Sequence, residues 1–185
     1  NADFDHMKHY MEYSNVDHIV EESSYSSTFR KLPKGSGGES WGYEDQAVFS
    51  KYLLDQTVAN QPYFNVLLTL STHNPFMINN VKHYEQLFDE RLKRGDLTKE
   101  NLKWAKDNRK QLVSVMNFDE ALSSFFKSYE KRSDFAHTIF IITGDHAMPE
   151  IPLQTKIDRF HVPLIIYSPL LKSARTFKNT VSHLD

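Results

Sequence analysis

The chain has 185 residues, 39% of them hydrophobic and 25% charged, with no cysteine and a formal charge of -2. That length is enough for one domain with a substantial core, expected to run over residues 1–185. Lack of cysteine excludes disulfides, thiol nucleophiles and thiolate metal sites, the near-neutral charge argues against a broad nucleic-acid footprint, and no apolar stretch reaches the roughly 18 residues that span a bilayer.

In chain order, Phe4, Met7, Tyr10 and Met11 have rough helical spacing and predict a short amphipathic helix over Phe4 to Ser14. Val16 to Val20 reads as a brief strand. Ser23 to Gly42 turns polar and contains Gly35-Ser36-Gly37-Gly38, the composition of a surface loop. Tyr43 to Val58 predicts a helix with Tyr43, Ala47, Val48, Tyr52 and Leu54 on or near one face. After Asn60-Gln61-Pro62, Tyr63 to Leu70 is a near-continuous apolar run that predicts a buried strand, followed by the polar cluster Ser71-Thr72-His73-Asn74.

The charged segment Asn80 to Gly95 is ambiguous. Thr98-Lys99-Glu100-Asn101 has the form of a helix start. From there one long helix is expected, with Val115, Phe118, Leu122, Phe125 and Tyr129 as its packed stripe. Asp134 to Ala136 turn the chain into a second buried strand, Ile139-Phe140-Ile141-Ile142, and Val162 to Tyr167 supplies a third. This alternation is the grammar of an α/β fold with a mainly parallel sheet. There is no signal peptide at the start, and Asn1 is not an initiator methionine, so the chain reads as part of something longer.

Chemistry concentrates where the second strand ends, at Thr143-Gly144-Asp145-His146. In open α/β sheets ligands gather at the carboxyl ends of strands. Asp145 and His146 offer an oxygen and a nitrogen donor there, a pair that suits Mn²⁺, Mg²⁺ or Zn²⁺. The competing reading is a carboxylate and a histidine hydrogen-bonding at a loop start. His73 closes the earlier apolar run, and if the two strands are neighbours it faces the same cleft. An imidazole there could donate to an anionic oxygen of a substrate or move a proton. His161 could reach the same rim or anchor a turn, and Arg159 could pair with a phosphate or with Asp158 or another surface carboxylate, the structural role being favoured for both. His6 and His9 lie on a polar helix, and His18, His83 and His137 read as surface or strand-start residues. Trp41-Gly42-Tyr43-Glu44-Asp45 reads as a helix start, with acidic residues favoured by the helix dipole. No P-loop, dinucleotide fingerprint or nucleophile elbow is present.

Five segments then occur in a familiar order. They are Trp41-Gly42-Tyr43-Glu44-Asp45, Thr69-Leu70-Ser71-Thr72-His73-Asn74-Pro75-Phe76, Asn117-Phe118-Asp119-Glu120-Ala121-Leu122, Thr143-Gly144-Asp145-His146 and Val162-Pro163-Leu164-Ile165-Ile166-Tyr167-Ser168-Pro169. Together they resemble the extracellular domain of the lipoteichoic acid synthase and phosphoglycerol transferase group, within the sulfatase and alkaline phosphatase superfamily. The resemblance covers nearly the whole chain. It implies an alkaline-phosphatase-like α/β fold, a three-layer sandwich with a mainly parallel sheet, of which this chain would be the C-terminal portion.

The resemblance also implies a catalytic threonine that takes up a phosphoglycerol group and passes it to an acceptor. One divalent metal, usually Mn²⁺, is held in that group by a glutamate, the threonine and the pair matching Asp145 and His146. The histidine matching His73 contacts the substrate phosphate. The glutamate and threonine are expected upstream of Asn1, as is a membrane anchor, and none of Thr69, Thr72 and Thr143 matches the nucleophile's position. The chain alone is therefore expected to be inactive.

Where that group places a tryptophan and an arginine two apart against the phosphoglycerol, this chain has Asp5 and Met7. A carboxylate and a thioether cannot grip phosphate as arginine does, so Asp5 points to another headgroup, phosphoethanolamine or a sulfate ester, or to a substitute residue. The resemblance implies an anionic lipid headgroup or envelope glycan as substrate and an extracytoplasmic, membrane-associated location. Two alternatives stand beside the transferase: a sulfatase or phosphodiesterase of the same superfamily, and a non-catalytic anion- or glycan-binding module.

Overall fold

Helix α5 (Arg109–Tyr129) is the spine around which the first part of the chain packs. Its buried positions are Val113, Ser114, Ala121, Phe125 and Tyr129. Phe125 and Tyr129 belong to the stripe expected from spacing, whereas Val115 is exposed. The inward face is thus turned toward Val113, because several apolar sets at three- and four-residue spacing overlap on this helix and only its neighbours select among them. The computed structural model describes residues 6–58 and 61–183. They form two compact units, Asn1–Glu130 and Lys131–Asp185.

In the first unit, α1 (Met7–Tyr13) is followed by a long polar stretch and then by α2 (Asp45–Asp55), close to the helix expected from Tyr43 onward. Phe49 of α2 meets Phe125 with ring centroids 4.8 Å apart, and Tyr52 lies nearly parallel to Tyr129 at 6.3 Å. Aromatic pairs at these separations add to the area they bury. The ambiguous charged segment forms α3 (Val81–Leu92), whose Tyr84 and Phe88 point inward. These two join Ile78, Ala105 and Val113 in a core cluster flanked by Leu87, Leu92, Leu112 and Met116. Charge hid this helix from sequence reading, since its apolar face is narrow.

The single long helix expected after Thr98 is two helices, α4 (Lys99–Asp107) and α5. The Thr98 hydroxyl does cap α4, accepting from the Asn101 amide at 3.1 Å. Asn108 makes the break, with φ -107° and ψ 28°. Its side-chain amide donates to the Trp104 carbonyl at 2.9 Å, competing with the backbone as asparagine readily does. At the start of α5, Arg109 grips Asp89 of α3 through two hydrogen bonds of 2.5 and 3.0 Å and covers the Phe88 ring.

Two expected strands are not strands. Among the described residues, neither Val16 to Val20 nor Tyr63 to Leu70 has a ladder partner. Phe64, Val66 and Leu68 are exposed along it. Apolar and β-branched side chains favour an extended backbone, but a strand also requires a neighbour to take its amides and carbonyls.

The second unit holds β1 (Phe140–Thr143) and β2 (Leu164–Tyr167), both close to the expected apolar runs. They pair antiparallel, with Phe140 opposite Tyr167 and Thr143 opposite Leu164. The expectation of a mainly parallel sheet is not met by this pair, the one sheet among the described residues. A continuous apolar run marks a strand without fixing the direction of its neighbour. The connection 144–163 contains only a 3-10 turn, Lys156–Phe160, in place of the crossover helix a parallel return normally uses.

Candidate metal and anion-contact sites

Asp145 and His146 stand just beyond the end of β1, where the backbone leaves the ladder at Gly144. A Cβ on Gly144 would lie 3.2 Å from Val162 Cγ1 and 3.4 Å from the His146 carbonyl oxygen, so a side chain there would have to push aside Val162, two residues before β2. The His146 amide donates to Asp145 Oδ1 at 3.0 Å, which fixes the carboxylate over the turn. His146 Nδ1 lies 2.8 Å from the Ala147 carbonyl oxygen. A carbonyl only accepts, so Nδ1 carries the proton and the neutral ring presents its lone pair at Nε2. The loop itself is tied down by the Ala147 amide, which donates to the Arg159 carbonyl at 2.7 Å.

The result is that Asp145 Oδ2 and His146 Nε2 face each other at 3.8 Å. That is too long for a hydrogen bond. It falls within the roughly 3 to 4 Å that separates two donors of one cation when each bond is about 2.1 Å. A backbone carbonyl fixing the far nitrogen of a histidine is also the usual support of a metal-binding imidazole. The donor set therefore fits two corners of a divalent-metal shell. Among the described residues no group of three or more His, Asp or Glu side chains forms a complete one.

His73 lies in the first unit and is exposed, in the tight turn that follows Leu70. Its amide donates to the Leu70 carbonyl at 3.0 Å, and its own carbonyl accepts from the Phe76 amide at 2.7 Å. The Asn74–Pro75 bond in this turn is cis. His73 Nδ1 is 2.6 Å from the Asn74 carbonyl oxygen, so the ring meets anything beyond the turn through its Nε2 edge. The Trp41 indole lies against it, ring centroids 5.0 Å apart, and the two share a shallow recess with Leu32, Leu70, Pro75 and Met77.

Spacing alone missed what holds this turn. Asp45, read as a helix-start acid, is almost wholly buried. Its Oδ1 accepts the Leu70 amide at 3.0 Å and the Ser71 amide at 3.2 Å, and its Oδ2 accepts the Ser71 hydroxyl. Glu44 accepts from the Asn79 side chain at 2.6 Å, and Asn79 also donates to the Lys31 carbonyl, pinning the other end of the same loop. Gly42 has φ +146°, and a Cβ there would meet Leu70 Cδ1 at 3.1 Å.

The remaining sequence candidates divide. Asp158 does not pair with Arg159. It accepts the Gln154 and Thr155 amides at 2.9 and 2.7 Å, which together with the Thr155 hydroxyl hold its carboxyl below the usual carboxylate range. His183, not singled out by sequence, meets the Thr143 hydroxyl at 3.2 Å, two residues before Asp145, a contact that no local signal announces. Asp5 lies outside the described residues.

Comparison with known proteins gives the family: residues 1–185 match the sulfatase family, and the chain belongs to it. It is also 26% identical over 107 residues to lipoteichoic acid synthase-like YvgJ of Bacillus subtilis (strain 168), an alignment covering 58% of this chain and 15% of that protein. The chain thus spans a small part of the curated relative it matches. No solved structure gives a significant match. These findings bear out the resemblance to the lipoteichoic acid synthase-like group of the sulfatase and alkaline phosphatase superfamily. Family membership carries the alkaline-phosphatase-like α/β fold class.

Proposed function

We propose that the chain is part of a metal-dependent transferase that moves phosphoglycerol, or a related phosphodiester headgroup, onto a cell-envelope lipid or glycan. The observation that carries this reading is the convergence of Asp145 Oδ2 and His146 Nε2 at 3.8 Å, with the imidazole tautomer set by the Ala147 carbonyl. Asp145 and His146 would hold a divalent cation, Mn²⁺ before Mg²⁺ or Zn²⁺. Such a cation, when bound, supplies a Lewis acid that lowers the pKa of a nucleophilic hydroxyl and neutralises charge on the phosphoryl oxygens.

His73 has a separate role, as the contact for an anionic substrate oxygen. With Nδ1 directed at the Asn74 carbonyl, Nε2 is the edge through which it would meet such an oxygen. The nucleophilic threonine and the remaining metal ligand are assigned to sequence outside this chain, as is the membrane attachment. Similarity to a lipoteichoic acid synthase-like protein supports an extracytoplasmic, membrane-associated setting. Among the described residues no helix is long and apolar enough to cross a membrane.

The test is an assay of the protein carrying this chain, with phosphatidylglycerol vesicles, Mn²⁺ and a glycolipid acceptor. Headgroup transfer that is lost in Asp145→Ala and His146→Ala and reduced in His73→Asn supports the reading. Release of the headgroup to water alone, or hydrolysis of a sulfate ester instead, would replace the transferase by a hydrolase of the same family.

A further inference from the structure

We infer that Asp45 is a positioning residue for His73: its buried carboxylate sets the turn that presents the imidazole to Trp41 and to the substrate. Burying a carboxylate is costly unless its oxygens are satisfied. Asp45 is 1% exposed, and it is the first residue of α2, so its satisfaction cannot come from solvent. All three of the bonds it accepts come from two consecutive residues, Leu70 and Ser71, some 25 positions along the chain. Ser71 is itself fully buried.

These are the residues from which the His73 turn departs, since the Leu70 carbonyl receives the His73 amide. The extended segment before Leu70 has no ladder to fix it among the described residues, so the carboxylate takes the place that a neighbouring strand would occupy. The opposite wall of the recess is set by the same stretch of chain. Trp41 and Gly42 lie four and three residues before Asp45, and the Gly42 carbonyl accepts the Leu32 amide at 2.8 Å. One short segment, 41–45, therefore carries both the ring that touches His73 and the carboxylate that anchors its turn.

The consequence for catalysis rests on His73 as the anion contact; the placement itself does not. The decisive experiment is NMR of the chain at a single pH, following the His73 ring protons. These are identified by their loss in His73→Asn, and their ring-current shift is traced to the indole by its loss in Trp41→Leu. In Asp45→Asn, shown to be folded by circular dichroism, the His73 protons should move to their Trp41→Leu positions. If Asp45→Asn does not fold, Ser71→Ala, which deletes only the hydroxyl bond, should reduce the shift. A merely stabilising carboxylate would lower the melting temperature and leave the shift intact in folded molecules, and that result overturns the proposal.

Titration with sn-glycerol 3-phosphate separates the two readings. Affinity reduced about 3- to 10-fold in both Asp45→Asn and His73→Asn supports positioning for anion contact. Lost ring-current shift with affinity unchanged in both variants keeps Asp45 as the positioning residue and removes His73 as the anion contact.

Discussion

Asp145 Oδ2 faces His146 Nε2 across 3.8 Å, although the two residues are adjacent in sequence. Neighbouring side chains on an extended backbone point to opposite faces, so the convergence belongs to the bend that follows Gly144. That bend is confined by Val162 on one side and by the His146 carbonyl on the other. Gly144→Ala should therefore disturb the pair as well as the fold. We expect a stability loss of about 0.5 to 3 kcal/mol in a denaturant titration, accompanied by weaker Mn²⁺ binding. Metal affinity equal to the parent's would show that the pair does not depend on this turn.

Gly42 gives a parallel case on the first unit. At φ +146° a side chain is strained, and its Cβ would press on Leu70 Cδ1 at 3.1 Å. Gly42→Ala is expected to cost about 1 to 3 kcal/mol, read as a lowered thermal midpoint. A variant as stable as the parent would mean that the Leu70 side chain moves aside freely.

Phe125 is the hub of the aromatic packing between α2 and α5, touching Phe49, Tyr52 and Tyr129. Phe125→Ala should destabilise the first unit by about 3 to 5 kcal/mol. Leu54→Ala, on the exposed side of α2, should stay within about 0.5 kcal/mol. Similar losses at the two positions, measured by urea unfolding, would contradict the packing described.

Asp158 ties stability to acid. Hydrogen bonds from Thr155 and Gln154 lower its pKa in the folded chain from the ordinary 3.8. A depressed carboxyl stabilises the fold above its unfolded value, and that contribution disappears as the pH falls through the folded one. Asp89 and Asp96, paired with Arg109 and Arg91, are lowered in the same sense. The urea midpoint should thus begin to fall below about pH 4. Asp158→Asn should make that fall shallower; an unchanged slope would remove Asp158 from the account.

Much of this was legible in the sequence, and the rest failed for identifiable reasons. Apolar runs located β1 and β2 within a residue or two, and the Thr98 cap was visible because capping is a local interaction. The direction of the β1–β2 pair was not, because side-chain pattern carries no sign for the neighbouring strand. Tyr63 to Leu70 has strand composition, but pairing is a property of two segments and cannot be read from one. The Asp145–His146 pair was visible from its place after an apolar run. Asp45 was not, since a carboxylate opening a helix looks the same whether it faces water or a loop far along the chain. Only the tertiary fold distinguishes the two.

The central claim is that Asp145 and His146 together hold a divalent cation. Electron paramagnetic resonance of Mn²⁺ titrated into the chain tests it most directly, because bound and free ion are read separately. The parent is expected to remove free Mn²⁺ signal, and Asp145→Ala and His146→Ala each to do so markedly less while remaining folded. Equal uptake by the parent and both folded variants would contradict it.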